Sequence, residues 1–384
     1  MQYKWLYITL GDEPSGVYQS QVIDVCRYLN EKFDVSIGLM AFISLRNYRK
    51  NRRQIKKYIP EAIVLPMVPK LKNWRYNLLL ASFILFHTKA KHIICRNPLS
   101  ANLGLQLKKY GFVDYVIYDG RGAVAEEWKE YHVVNDSGLL DNITTLEMIA
   151  VKKSDFRISV SNQLIKYWEN KYNYNNKRYV VIPCTFSNFN NKSNNVDKSR
   201  ELRNKLGIAH NDIVLVYAGS TAGWQSFDLM SHFISKLILH DSRIKILFLS
   251  KSDDNNNKLI ENYPNKIFRT WIKPNNVFEY LSLCDYGLLL REESITNSVA
   301  APTKFAEYLA SGLSVIISRN VGDYTEFVQK HNCGIIIPKV MDDNFLLEKP
   351  STEQRLFNKK LAHQYFSKDS AIIYEQYKIL LESI

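Results

Sequence analysis

The chain has 384 residues, more than one hydrophobic core usually serves, so two domains are expected. Hydrophobic residues make up 46% and charged residues 23%, a globular composition that excludes wholesale disorder. The longest apolar run, Leu78 to Phe86 (LLLASFILF), is nine residues, against the roughly 20 that cross a bilayer, so no transmembrane helix is expected.

Charge is uneven along the chain. Residues 1–180 hold 27 Lys/Arg against 16 Asp/Glu, a net of +11; the remainder holds 24 against 22, a net of +2. Within the first part, Arg46 to Lys57 (RNYRKNRRQIKK) carries seven cations and no acid. Such a stretch is either a solvated helix face or a surface for phosphates of nucleic acid or anionic lipid. Lys4 is followed by a short apolar stretch that Asp12 and Glu13 cut off, so a secretory signal is not expected. Cys26, Cys95, Cys184, Cys284 and Cys333 are an odd number with no C-x-x-C pair, which fits a reducing cytoplasm rather than a disulfide framework or zinc site. The eight histidines show no H-x-x-x-H or H-E-x-x-H spacing, and Asp253-Asp254 lies in a polar turn, so no metal is expected.

Short β-branched runs separated by helical stretches predict strands near 4–10, 35–40, 62–65, 92–95, 115–118, 156–160 and 179–182. A second set follows near 213–218, 244–249, 267–271, 286–290, 314–317 and 334–337. Continuous apolar strands alternating with helices indicate parallel sheets covered on both faces. Residues 187–199 (SNFNNKSNNVDKS) read as a linker. The expectation is an α/β chain of two doubly wound, Rossmann-like domains, 1–186 and 200–364, facing each other across a cleft. A C-terminal helix over 365–384 is expected to pack back on the first.

Three places could hold chemistry. Gly11-Asp12-Glu13-Pro14-Ser15-Gly16 follows the first strand; its two acids would repel a pyrophosphate, so it reads as a loop facing the cleft, with Gly16 its last residue. Tyr217 to Gln225 (YAGSTAGWQ) runs from strand through a glycine loop toward a helix, where the backbone of Gly219 and Ser220 can meet a phosphate. The most informative segment is Arg291 to Ile317, REESITNSVAAPTKFAEYLASGLSVII. Pro302 suits the opening of a helix. The N–H groups of Thr303, Lys304 and Phe305 beside the Lys304 ammonium make a diphosphate site. Glu307, one turn on, can accept hydrogen bonds from a ribose diol. Taken alone, Lys304 and Glu307 read first as a surface ion pair on an ordinary amphipathic helix.

Residues 302–316 (PTKFAEYLASGLSVI) resemble the donor-binding helix of family 4 retaining glycosyltransferases of the GT-B fold, most closely bacterial members that build surface polysaccharides. Asn320-Val321-Gly322-Asp323, Tyr217–Gln225, Tyr118-Asp119-Gly120-Arg121-Gly122 with Glu126-Glu127, Ser159-Val160-Ser161 and Val181-Ile182-Pro183-Cys184 agree in order. Two positions depart from the pattern. Val299 stands where many members carry a second glutamate, and Gln225 and Ser226 follow the glycine loop where many carry Arg and Lys.

The resemblance implies transfer of a sugar, with retention, from a nucleoside diphosphate sugar (UDP- or GDP-linked) to a hydroxyl of a glycan or lipid-linked glycan. The setting it implies is lipopolysaccharide O-antigen or capsule synthesis, at the inner face of the cell membrane and without metal or other cofactor. Arg291 and Lys304 become the catalytic cations. Gly16, Gly219, Ser220, Trp271, Pro302, Thr303, Lys304 and Glu307 are read as the donor side, with packing at a strand end the alternative for Trp271. Arg96, Asp119, Arg121 and Glu127, which follow first-domain strands at the edge of the expected cleft, are read as the acceptor side, with a local Asp–Arg ion pair that fixes the loop as the alternative. The basic segment 46–57 then faces anionic lipid. The competing expectations are a nucleotide-sugar epimerase of the same fold, which has no use for a basic membrane-facing helix, and a basic nucleic-acid-binding protein. The latter lacks any helix-turn-helix, zinc or RNA-recognition signature, so no nucleic-acid partner is expected.

Overall fold

The computed structural model describes residues 2–186, 196–219, 226–273, 276–338 and 345–383, with backbone alone over 196–200. The chain divides into two compact units, Met1–Ser187 with Ala371–Ile384, and Asn188–Ser370.

The first unit is a parallel sheet of β1 (Trp5–Leu10), β2 (Ile37–Ile43), β3 (Ile63–Pro66), β4 (His92–Arg96), β5 (Tyr115–Gly120), β6 (Phe156–Ser159) and β7 (Tyr179–Val181). The order is β3-β2-β1-β4-β5-β6-β7. β1 and β2 are buried at every position, as strands covered by helices on both faces must be. The C-terminal helix Ala371–Glu382 closes this unit's core: Ile373, Tyr377 and Leu380 are buried with Tyr7, Leu39 and Ile94, and Phe33 stacks on Tyr374 at 4.6 Å. Gln376 ties it to the sheet edge by accepting the N–H of Val181 at 3.3 Å.

The second unit repeats the plan with β8 (Ile213–Ala218), β9 (Ile244–Leu249), β10 (Ile267–Arg269), β11 (Tyr286–Leu289), β12 (Ser314–Ile317) and β13 (Gly334–Ile336). Its order is β10-β9-β8-β11-β12-β13, again parallel throughout. The helix Thr352–Phe366 belongs here: Arg355 pairs with buried Asp285 at 2.5 Å, and Asn358 donates to the carbonyl of Leu313 at 2.9 Å. The C-terminal return to the first unit therefore begins at 371, not 365.

Of the expected linker, 187–195 lies outside the described residues and 196–199 does not read as linker. A helix runs Val196–Lys205. Its Arg, Glu, Leu and Lys residues are good helix formers, and they outweigh the preceding Asn-rich composition.

In both sheets the strand order reverses between two neighbours, β1 and β4 in one, β8 and β11 in the other. Loops leaving the carboxyl ends of such neighbours splay apart and open a crevice. Both candidate sites sit at these points.

Candidate functional site

In the second unit the site is built from the ends of β8 and β11 and the start of the helix Thr303–Ala310. That helix buries Phe305, Ala306, Tyr308 and Leu309 and turns Lys304 and Glu307 toward partly open space. Its seat is specific. The Tyr308 ring lies where a side chain at Gly287 of β11 would be, 2.2 Å from an ideal Cβ, so only glycine fits. The Tyr308 hydroxyl accepts the N–H of Ala218 at 3.1 Å and donates to the carbonyl of Leu288 at 3.4 Å, pinning the helix across both strand ends. Phe305 stacks on Tyr324 at 4.1 Å and meets Phe366 edge-on.

Lys304 reaches back over β8. Its Nζ donates to the Tyr217 hydroxyl at 3.1 Å and lies 4.2 Å from the centre of that ring. Gly219 lets it through: a Cβ there would stand 2.7 Å from Lys304 Cε and Nζ, and φ of +142° disfavours any other residue. Arg291 follows β11, is buried, and its backbone N–H donates to Ser318 Oγ at 2.8 Å. The next N–H, of Glu292, donates to Ser226 Oγ at 2.7 Å, and Asn297 donates to the Glu292 carbonyl at 3.0 Å, fixing the loop.

The electrostatics are strained toward an anion. Desolvation and the neighbouring Arg291 hold Lys304 well below the ordinary lysine range, against the pull of Glu307. Desolvation raises Glu307, with Lys304 opposing. Burial raises Tyr217 as well, while Arg291 acts against it. An added phosphate would relieve the Lys304–Arg291 repulsion.

The helix opens at Pro302 without a side-chain cap. The Phe305 N–H is turned inward, donating to the Pro302 carbonyl at 3.2 Å. The expected trio of outward N–H groups thereby loses Phe305, because the first turn closes on itself. Ser220 lies outside the described residues, as do Trp224 and Gln225. Trp271, expected on the donor side, follows β10, the strand at the sheet's edge, and is mostly exposed.

The first unit gathers most of the expected acceptor residues. Arg96 and Asp119 are partners in register on β4 and β5. Asp119 is fully buried and faces Arg121 Nε at 2.8 Å and Arg96 Nη1 at 4.0 Å, and it accepts the hydroxyl of Tyr7 from β1. Asp12, at the end of β1, stands 3.6 Å from Arg96 and accepts from Asn97 at 3.3 Å. Burial opposes the charge on Arg121, but Asp119 and Tyr7 outweigh it and hold the guanidinium above its ordinary value. Burial likewise raises Asp12, with Arg96 opposing. Two cations and two anions balance.

Gly16 begins a short helix capped by Ser15, whose Oγ accepts the N–H of Tyr18 at 3.1 Å. A π-helical turn, Gln19–Ile23, follows and turns Gln21 inward to donate to the Thr185 carbonyl at 2.8 Å. Glu127 sits in the helix Val124–Glu130, a turn beyond Arg121. Fully buried Glu147 holds the start of that helix. Its carboxyl accepts the N–H of Val124 at 2.9 Å and of Ala125 at 3.2 Å, and the Tyr172 hydroxyl at 2.8 Å. Desolvation pushes its pKa up to about 7 despite these bonds.

Sequence reasoning missed Tyr7, Asp12 as a partner of Arg96, Tyr217, Ser318 and Glu147. The glycine at 219, directly after a strand, was the one available sign that a side chain passes close there.

Against known proteins, residues 216–368 match the family model described as the glucosyltransferase 3-like, C-terminal domain. No curated protein matches the chain. Among solved structures it is similar to HepE of Anabaena in complex with UDP (TM-score 0.70, 12% identity, 99% of this chain and 100% of that one). It is also similar to a glycosyltransferase of Rickettsia africae (0.73, 16%, 100% and 98%). WaaG, described as a glycosyltransferase involved in lipopolysaccharide biosynthesis, gives 0.64 and 14%, over 98% of each chain. The two parallel sheets and these neighbours give the fold as GT-B.

Proposed function

We propose that the protein is a glycosyltransferase that moves a sugar from a nucleoside diphosphate sugar to an acceptor hydroxyl, with retention at the anomeric carbon. The observation that carries this reading is Lys304. It is an under-solvated ammonium beside Arg291 at an uncapped helix start, with Glu307 one turn on, inside the segment matched to a glucosyltransferase-like domain. A diphosphate bound there meets the helix N-terminus and two cations, which stabilise the charge that grows as the sugar departs. Glu307 receives the ribose hydroxyls. The leaving phosphate takes the proton of the incoming hydroxyl on the same face, so no separate nucleophile is needed, and the protein's own cations make a metal dispensable.

HepE is described in complex with UDP and with UDP-glucose, which favours a UDP-sugar over a GDP-sugar as donor. On the acceptor side, Arg96 and Arg121, set by Asp119, offer guanidinium edges to a phosphate or glycan hydroxyl, and Glu127 stands on the helix that follows. The acceptor is a lipid-linked glycan of surface polysaccharide synthesis, reached at the inner face of the membrane. The helix Tyr48–Tyr58 supports that setting: Arg49, Arg52 and Arg53 line, with Tyr48, a shallow hollow of about 390 Å³. Replacing Arg46, Arg49, Arg52, Arg53 and Lys56 with Gln should remove the preference for anionic over neutral vesicles and leave nucleotide affinity unchanged.

The direct test is thermal-shift screening with UDP, GDP, CMP, ADP and TDP. UDP is expected to raise the melting temperature by mass action, and Lys304→Ala with Glu307→Ala to erase the rise. If no nucleotide moves the wild-type transition, the donor site is not on this helix.

A further inference from the structure

The helix Asn77–Thr88 (NLLLASFILFHT) is apolar on both faces, yet only one face is covered. Ala81, Leu85 and Thr88 are buried against the first unit, while Leu79 is 78% exposed, Phe83 62% and Phe86 74%, with Tyr76 just before the helix at 66%. These four recur at spacings of three and four and form one contiguous stripe. Soluble surfaces rarely leave such a stripe to water. Twelve residues rise about 18 Å, too little to span a bilayer but enough to lie in its interface.

The surrounding charge names the occupant. From Val35 to Val113 the sequence holds 15 Lys/Arg and a single acid, Glu61. Lys70, Lys72 and Arg75 precede the helix and His87, Lys89 and Lys91 end it, all exposed. Among the described residues the carboxylates near them are Asp136, 3.2 Å from Lys72, and Asp114, 3.9 Å from Lys91. A groove of about 720 Å³ at the helix's opening is lined by Lys72, Arg75, Asn135, Asp136 and Asn142. Two copies pressed together through this face would oppose cation to cation, whereas anionic headgroups would meet both cationic ends while the apolar stripe enters the acyl region. Tyr76, exposed just before the helix, adds an aromatic ring of the kind that favours the membrane boundary.

We propose that Asn77–Thr88 is a membrane-inserting helix, laid in the interface of an anionic phospholipid bilayer with Leu79, Phe83 and Phe86 embedded. It deepens the membrane part of the function above by adding an inserting element to electrostatic attachment. All five native cysteines are buried, so a polarity-sensitive dye can be placed at Phe83→Cys, with Leu239→Cys in the second unit as reference. On phosphatidylcholine vesicles with about one third phosphatidylglycerol, the dye at 83 should shift to the blue and that at 239 should not. Leu79→Ser/Phe83→Ser/Phe86→Ser, which alters only exposed positions, should lower partitioning about a hundredfold with its melting curve unchanged. Vesicle binding with no shift at 83 and no loss in the triple variant would overturn insertion and leave the electrostatic reading intact. Absence of wild-type binding to anionic vesicles would overturn both. A concentration-dependent dimer that the triple variant abolishes, without vesicle binding, would assign the stripe to self-association instead.

Discussion

The two sheets present charge at equivalent places, and in opposite conditions. Beside the β1–β4 reversal, Arg96 and Arg121 are answered by Asp12 and Asp119, and Tyr7 closes the set. Beside the β8–β11 reversal, Arg291 and Lys304 repel each other with Glu307 pulling back. The first cluster is a finished structure that positions guanidinium edges; the second is under tension that an anion would relieve. The contrast separates a scaffold for an acceptor from a receptor for a charged leaving group.

The largest effect is expected at Asp119. Asp119→Ala removes a fully buried carboxylate and leaves two largely covered arginines without their shared anion; it should cost about 3–5 kcal/mol of stability, read from urea unfolding. Nucleotide affinity per folded molecule should be unchanged. A variant as stable as wild type would mean that the first cluster is not balanced by that carboxylate.

Lys304→Ala should do the reverse. It removes repulsion, so the melting temperature should hold, while turnover falls about 10²–10³-fold through lost charge stabilisation. Because Lys304 is held well below the ordinary lysine range and a bound anion raises it again, nucleotide binding should take up a proton at pH values between the two. Affinity should therefore weaken as pH rises, and calorimetry in buffers of different ionisation heat reads that proton. A pH dependence that survives in Lys304→Ala would assign the titration to another group.

Glu147 makes the first unit's stability depend on pH. Its pKa stands near 7 in the fold against 4.5 ordinarily, so the native state binds the proton more tightly than the unfolded chain does. Its contribution is full below pH 4.5 and is lost as pH rises toward 7, by roughly 3 kcal/mol. Urea melts across that window should show the decline in wild type and lack it in Glu147→Gln. Equal slopes would show that the carboxyl is not the titrating group.

The smallest effect is expected at Glu307. Glu307→Ala should weaken nucleotide binding by about 2 kcal/mol, measured by titration, with little change in stability. Unchanged affinity would take the ribose away from this residue.

The fold was legible because its strands are continuous apolar runs; each of the thirteen expected runs overlaps a strand of the structure. Their ends were less so: β2 runs three residues past the expected Met40, since Ala41, Phe42 and Ile43 are as buried as the rest. The Lys304–Glu307 helix was legible from Pro302 and its resemblance. What surrounds it was not, since Tyr217 is 87 residues away and Asp12 lies 84 from Arg96. Such pairs come together only through sheet order, which no local pattern encodes. Asp12 shows the cost of local reading: taken as an acid that repels phosphate, it is a partner of Arg96.

The helix Ala371–Glu382 brings time into the architecture. The first unit's core needs Ile373, Tyr377 and Leu380, yet all three are made after the whole second unit has been translated. At roughly 5–20 residues per second, the ribosome spends on the order of 10–40 s between Ser187 and Ala371. Through that interval Phe33 and Tyr28, which pack on Tyr374 and Tyr377, wait with a face uncovered, so the first half to be synthesised is the last to be completed. The order in which the two halves mature is thus the reverse of their order in the gene.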